Sequence, residues 1–229
     1  MPEKTPSEKR TTRSENLEVA AMIVRRTPGA LVYQRALLCE ESVHTTTQLL
    51  GEKKPPVSAL RKAYLLVMAQ HAKDRPLDVL LERLRQSMLP LIAGGADVEA
   101  AKSIQELVAE ATQDFPQLHV AAMVIAPSYG FAWIHGRHRI LLVRQGRGQV
   151  LMSRGKPWCG RVKFAPGDAA IILSPSAVAA VPSELVSLLA RTTLGAITKR
   201  IAELAVVNEP LSHHAVVALR IPGTTKRTA

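Results

Sequence analysis

The sequence predicts an α+β protein in which strands form antiparallel runs and helices occupy separate blocks. Three observations predict it. Apolar residues recur at helical spacing between residues 57 and 113, then change to short strand-length runs between 118 and 173. Those runs are broken by Gly- and Pro-bearing stretches that favour tight turns, which suits antiparallel neighbours. Strands and helices do not alternate along the chain, so a parallel βαβ sheet is not expected. With 229 residues, 47% of them hydrophobic, the chain can bury one substantial core. Only 3% are aromatic, so Ala, Val, Leu and Ile must fill that core.

Residues 1–16, MPEKTPSEKRTTRSEN, are expected to form a disordered lead-in and residues 223–229 a disordered tail, flanking a single domain over 17–222. LEVAAMIVRR and ALVYQRALLC read as two strands joined at Thr27-Pro28-Gly29. A polar loop with Gly51 and Pro55-Pro56 follows. VSALRKAYLLVMAQHAK places Leu60, Tyr64, Met68 and His71 along one stripe and is expected to be a helix. LDVLLERLRQSMLPLI continues the helical pattern as far as Gly94-Gly95. ADVEAAKSIQELVAEATQ puts Val98, Ala101, Ile104, Leu107, Val108 and Ala111 on one face. Asp97 and Glu99 lie in its first turn, where the helix dipole favours negative charge.

LHVAAMVIAP, YGFAWIH, RILLVRQ and QVLMS read as consecutive strands of an antiparallel meander. They are broken at Ser128-Tyr129-Gly130, at Gly136-Arg137-His138-Arg139 and at Gly146-Arg147-Gly148. FAPGDAAIILSPS is a turn feeding one more strand. Ser183 is expected to cap the helix ELVSLLAR, and AITKRIAELAVV to present Ile197, Ile201 and Leu204 together. AVVALRI is the last strand.

Thirty Lys and Arg oppose 19 Asp and Glu, a formal charge of +11. That balance suits an acidic partner, a nucleic acid or an anionic surface. The charge is unevenly placed. No acidic residue lies between Asp114 and Asp168, an interval that carries Arg137, Arg139, Arg144, Arg147, Arg154, Lys156, Arg161 and Lys163. No Asp occurs from Met1 to Lys73. Cys39 and Cys159 are too few for a disulfide framework and match no zinc or redox spacing. The N-terminal residues are polar and no apolar run is long enough to span a bilayer, so a soluble, cytoplasmic protein without a membrane partner is expected. No glycine-rich phosphate loop, nucleophile elbow or His-Glu-x-x-His occurs.

Three stretches in the second half carry a resemblance. FAWIHGRHRILLVRQGRGQVL is similar to a strand ending in Gly-Asp-Ser-Arg whose successor leads to Arg-x-Gly. Here the corner is Gly136-Arg137-His138-Arg139, followed by Arg144-Gln145-Gly146. FAPGDAAIILSPSAVAAVPSEL resembles a Pro-Gly-Asp turn, an apolar strand and Ser-Asp-Gly. Pro166-Gly167-Asp168 is intact, whereas Ser-Asp-Gly has become Ser174-Pro175-Ser176. A final strand opening on Asp-Asn-Ile-Thr is matched by His213-His214-Ala215-Val216. In this element order the chain resembles the metal-dependent Ser/Thr protein phosphatases, the PPM or 2C-type family, over residues 17 to 221. The resemblance implies a four-layer αββα sandwich of two antiparallel sheets flanked by helices.

It also implies an ancestral site for two divalent cations, held mostly by carboxylates and water, whose bridging water attacks a phosphoryl group. The matching positions here hold Pro175 and His213, and the turn carboxylate is Arg137. The family's early motifs, Asn-Glu-Asp and Asp-Gly-x-Gly-Gly, have no counterpart in a region without Asp. Glu40 and Glu41 end the second strand near a ligand position, yet adjacent glutamates there read as a solvated strand end. A site that has exchanged acids for Arg and His repels cations.

What the resemblance implies is therefore a pseudophosphatase: a binding or regulatory module with no catalytic residue, no metal ligand set and no cofactor. Its degenerate corner, formed by His135, Gly136, Arg137, His138, Arg139, Ser174, Pro175, Ser176, His213 and His214, is expected to receive phosphate or an acidic partner. A guanidinium suits phosphate because it donates two parallel hydrogen bonds. The expected partner is a kinase, a phosphoprotein or an active phosphatase; the oligomeric state is not indicated. Two other readings stay open. His135, His138, His213 and His214 gather at one end of such a sandwich, where imidazoles suit a softer ion such as Zn²⁺ and a rebuilt metallohydrolase. The basic segment also suits nucleic acid, although Trp133 and Trp158 are its only nearby indoles and no RNA or DNA motif accompanies them.

Overall fold

A computed structural model describes residues 17–24, 33–42, 62–73, 75–93, 97–126, 130–210 and 212–221. The expected disordered ends lie outside these residues, as do Thr27-Pro28-Gly29, Gly51, Pro55-Pro56, Gly94-Gly95 and Ser128-Tyr129. The described elements are β1 (Glu18–Val24), β2 (Tyr33–Ser42), β3 (Lys62–His71), α1 (Arg75–Ala93), α2 (Asp97–Asp114), β4 (His119–Ile125), β5 (Gly130–His135), β6 (Arg139–Arg144), β7 (Arg147–Met152), β8 (Trp158–Arg161), β9 (Ala169–Leu173), α3 (Pro175–Val178), α4 (Leu185–Arg191), α5 (Leu194–Asn208) and β10 (His214–Arg220).

Two five-stranded antiparallel sheets result, one ordered β1-β10-β9-β6-β7 and the other β2-β3-β4-β5-β8. Helices need somewhere to bury one apolar stripe, and each sheet offers an outer face. Leu77 and Leu84 of α1, with Ile104 and Val108 of α2, pack on Leu65, Val67, Val124 and Trp133 of the second sheet. Ile197, Ile201 and Ala205 of α5, with Leu189 of α4, pack on Ile171, Leu173 and Val216 of the first. Between the sheets, Leu66, Met68, Met123 and Ile134 face Ile140, Ile172, Val217 and Leu219. The layers are helix, sheet, sheet and helix, as expected.

Five expectations need correction. Residues 62–71 form a strand, not a helix, paired from Tyr33↔His71 to Ser42↔Lys62 and from Tyr64↔Ile125 to Gln70↔His119. Tyr64, Leu66 and Met68 face the inter-sheet layer while Leu65, Val67 and Ala69 face the helices. A strand apolar on both faces shows no alternation, and the four-residue spacing of Leu60, Tyr64 and Met68 suits both periods. The meander is the second correction. β5 pairs with β4 and β8, and β6 with β7 and β9, so residues 136–138 arch between sheets and are not a hairpin. The same applies to β1 and β2, which lie in different sheets. Ser183 donates its hydroxyl to the Glu184 carboxylate (2.7 Å) and caps nothing; the N-cap of α4 is Glu184. Leu204 is 39% exposed, because Ala205 takes the buried position one turn after Ile201.

Adjacent residues facing opposite cores give the strand assignment a direct test. Leu65→Ala and Leu66→Ala should each cost about 2–5 kcal/mol in urea unfolding, since each empties a separate packed layer. A helix buried on one side would have tolerated one of the two.

Candidate functional site

The ten predicted residues come from three corners that the sheets bring to one end of the sandwich. The first is the arch between β5 and β6. Gly136 adopts φ +81°, and a Cβ there would stand 1.9 Å from Nδ1 of His119, so only glycine fits. His135 ends β5 with its ring stacked on Trp133, centroids 5.9 Å apart and planes 15° apart. Arg137 points to solvent. His138 is fully buried, and neither ring nitrogen has a hydrogen-bond partner. Burial, reinforced by His119 and Arg139, lowers its pKa to about 3, so the ring is neutral. Nη1 of Arg139 donates to the carbonyls of Arg137 (3.1 Å) and His138 (2.8 Å), which locks the arch.

The other two corners are tied together by a run of hydrogen bonds. Ser174 follows β9, is fully buried and stands at the N-cap of α3; Ala215 N–H of β10 donates to its Oγ (3.2 Å). Its Oγ lies 3.3 Å from Oγ of Ser176. Ser176 Oγ is 2.8 Å from Nδ1 of His214, whose Nε2 is 2.8 Å from the Glu209 carbonyl. That carbonyl can only accept, so Nε2 carries the hydrogen, and in the neutral ring Nδ1 accepts from Ser176. The alternative for the single Ser176 hydroxyl proton, the His213 carbonyl at 3.4 Å, is the longer contact. The direction of the chain is thus set: Ala215 N–H to Ser174, Ser174 to Ser176, Ser176 to His214, His214 to Glu209.

A cleft of about 460 Å³ opens between the arch, α3 and the entry to β10. Arg137, Arg139, Pro175, Ser176 and His213 line it, together with Gln70, His119, Val178, Glu209 and Ser212. His138, Ser174 and His214 stand behind its wall as buried supports, and Gly136 backs onto His119. The four histidines once grouped for a metal do not present their nitrogens to one point. Among the described residues no group of three or more His, Cys, Asp or Glu side chains is placed to hold a metal ion.

His119, Gln70, Glu209 and Ser212 were missed. His119 was findable: the start of β4 must oppose the end of β5, and the register pairs Val120 with His135. Gln70 was hidden by reading its strand as a helix. Burial lowers the pKa of His119, with Arg137, His135 and His71 adding to the effect, and burial alone lowers that of His135. Arg137 and Arg139 supply the permanent positive charge at the cleft. Burial pushes the Cys159 thiol up, away from the thiolate a nucleophile needs.

No protein-family model and no curated protein matches the chain. Solved structures do. The serine/threonine phosphatase of S. agalactiae matches 90% of this chain and 100% of its own, at 13% identity and TM-score 0.56. The Mycobacterium tuberculosis serine/threonine phosphatase PstP/Ppp matches 90% of this chain and 98% of its own, at 14% identity and TM-score 0.53. A structure from the bacterial stressosome, described as a modular system adapted to control secondary messenger signalling, matches 90% and 100% at 14% identity and TM-score 0.60. The fold is that of the PP2C-type Ser/Thr phosphatases. Arg137, Pro175 and His213, at which the sequence resemblance expects carboxylates, all line the cleft. Glu209 is the one acidic residue among the described residues that line the cleft.

Two measurements test this geometry. Gly136→Ala should destabilise the PP2C-type domain by more than about 1 kcal/mol, and His119→Ala in the same chain should recover part of that loss. Acid should act through His138. Its folded pKa lies below its unfolded value of 6.5, so its contribution to stability is complete above pH 6.5 and is lost as pH falls toward 3. The slope should be about 1.4 kcal/mol per pH unit over that window and should shrink in His138→Leu, read from unfolding midpoints.

Proposed function

We propose that this PP2C-type domain no longer hydrolyses phosphoesters through metal ions and instead binds an acidic protein, foremost a phosphorylated one, at the cleft. Arg137 carries the reading. It is exposed at the cleft, and its guanidinium forms no ion pair among the described residues. A phosphoryl group supplies the charge and the acceptor oxygens that this fork lacks. Arg139 anchors the arch with one nitrogen and adds its field to the same space.

The donor set argues against the metal-dependent reaction. Divalent cations of the Mg²⁺ and Mn²⁺ type need several oxygen ligands and compensating negative charge. Glu209 faces two arginines here, so the residues present do not fit such a pair of ions. A zinc site on the four histidines is no better supported, since both nitrogens of His214 are engaged and His138 is sealed inside. Nor does the Ser176–His214 pair suit nucleophilic catalysis. His214 has no exposed surface, so its ring cannot pass a proton to a leaving group. The pair works as a clasp. The partner class that suits a basic, non-hydrolytic cleft is a kinase, a phosphoprotein or an active phosphatase. The match to a stressosome structure supports a regulatory setting for such a module.

Two assays test the proposal together. The purified chain should carry no stoichiometric metal and should not turn over p-nitrophenyl phosphate with Mn²⁺, Mg²⁺ or Zn²⁺. It should bind a phosphoserine peptide more tightly than the unphosphorylated peptide, and Arg137→Ala should remove most of that difference, about tenfold in affinity. Metal-dependent turnover, or equal binding of the two peptides, overturns it.

A further inference from the structure

A second cavity, about 440 Å³ in volume, lies at the opposite end of the sandwich. One wall is the β6–β7 hairpin of the first sheet, contributing Arg144, Gln145 and Arg147; the other is β8 and the segment after it, contributing Trp158, Lys163 and Phe164. Its volume lies within the range of small-ligand sites, roughly 300–1,000 Å³.

The charges in this cavity do not cancel. Asp168 is its only acid among the described residues; Oδ2 of Asp168 already accepts from Arg144 Nε (2.8 Å) and the Ala165 N–H (2.8 Å), and it lies 2.7 Å from Arg144 Nη2 in an ion pair. Nη2 of Arg144 also donates to the Lys163 carbonyl. That pair is neutral as a unit and holds both walls in place. Arg147 and Lys163 are exposed, and their side chains form no ion pair among the described residues. The site is therefore net positive and built on a fixed frame.

Besides Arg161, Gln145 and Gln149, the rest of the lining is mostly apolar and includes two aromatic rings, Trp158 and Phe164. The Trp158 ring lies across Gly160, where a Cβ would come within 2.8 Å of the indole. Glycine at that position lets the ring lie against β8, half-buried, beside the Phe164 ring and Leu142. Gln145 holds φ +48° at the hairpin tip next to Gly146 at φ +73°, a conformation a non-glycine residue adopts at a cost. That turn brings Arg144 and Arg147 to directly paired positions.

We propose that this cavity binds a small organic phosphate carrying a planar ring, of the nucleoside diphosphate class. The phosphates meet Arg147 and Lys163, and the ring stacks on Trp158. A bare inorganic anion would use the cations and leave the aromatic platform empty; an apolar ligand would leave the cations unpaired. Stacking of a base on an aromatic side chain contributes enough to separate the two cases by about tenfold or more. The site is independent of the cleft at Arg137, so the two proposals can fail separately.

Isothermal calorimetry on the full chain at about 0.15 M salt, with ADP and with pyrophosphate as the ringless control, tests this. ADP should bind at least about tenfold more tightly than pyrophosphate. Arg147→Ala/Lys163→Ala should weaken both ligands by about tenfold or more, with the unfolding midpoint unchanged. Trp158→Ala should abolish the advantage of ADP, and Trp158→Phe, which keeps a ring, should retain most of it. Arg137→Ala should change neither. Equal affinity for ADP and pyrophosphate, indifference to the Arg147/Lys163 change, or loss of binding in Arg137→Ala overturns the proposal. So does a single-stranded RNA that binds more tightly than ADP through the same residues, which makes this surface a nucleic-acid track.

Discussion

Between Ile134 in one sheet and Ile140 in the other, the chain must cross the gap between two packed sheets, about 10 Å. Five residues can span that distance only if most are extended and one turns sharply. Gly136 makes the turn, at φ +81°, with its Cα side pressed on the His119 ring. Everything at this end follows from that crossing. His138, the next residue but one, is forced inward among apolar layers, where it must stay neutral. Arg137, between them, is forced outward to the cleft. Arg139 cannot be both arch anchor and free ligand fork, and its Nη1 is spent on two carbonyls. The crossing thus leaves one arginine, and not two, fully available.

The same end must also hold the exit of β9 and the entry of β10 together. In a metal site, ions shared between corners perform that task through charge. Here a run of hydrogen bonds joins them, from Ala215 through Ser174, Ser176 and His214 to the Glu209 carbonyl. Each such bond is worth about 1 kcal/mol net, yet losing one partner strands a buried polar group at about 1–3 kcal/mol. Ser174, Ser176 and His214 therefore have a structural task at this end. They join the two corners through hydrogen bonds of the protein itself, and in doing so they bury the Ser176 hydroxyl and the His214 imidazole.

Much of this was legible in the sequence, and the failures have physical causes. The α+β class, the short strands of the second half and the gathering of three corners at one end followed from period and motif order. The strand at 62–71 was read as a helix because its two buried faces erase the alternation by which strands are recognised. The arch was read as a hairpin because a glycine-containing polar corner looks the same whether the next strand pairs back or changes sheets; pairing is a long-range property that local residues do not encode. β8 was missed because WCGR is short and carries a glycine, which serves the Trp158 ring and not the strand. His119 and Gln70 were missed for different reasons: His119 follows from pairing the start of β4 with the end of β5, whereas Gln70 comes into view only once its segment is read as a strand.

The two ends of the sandwich put the excess charge to use in different ways. At the cleft, burial lowers the pKa values of His119, His135 and His138, and Arg137 and Arg139 supply the permanent positive charge. At the far end Arg144 is cancelled by Asp168, and the field belongs to Arg147, Lys163 and their neighbours. The layer between the two sheets is apolar and contributes no compensating charge. Basic residues thus concentrate where the sheets stop, in concave surfaces whose low-dielectric walls focus the field outward. An anion approaching either end is drawn by a field that salt screens within about 8–10 Å, so encounter rates should depend on ionic strength more than the bound contacts do. Net charge alone would give the same attraction at every face. Arg137 in one shaped cavity, and Arg147 with Lys163 in the other, stand beside walls of fixed geometry, and that placement gives a basic protein places for particular anions.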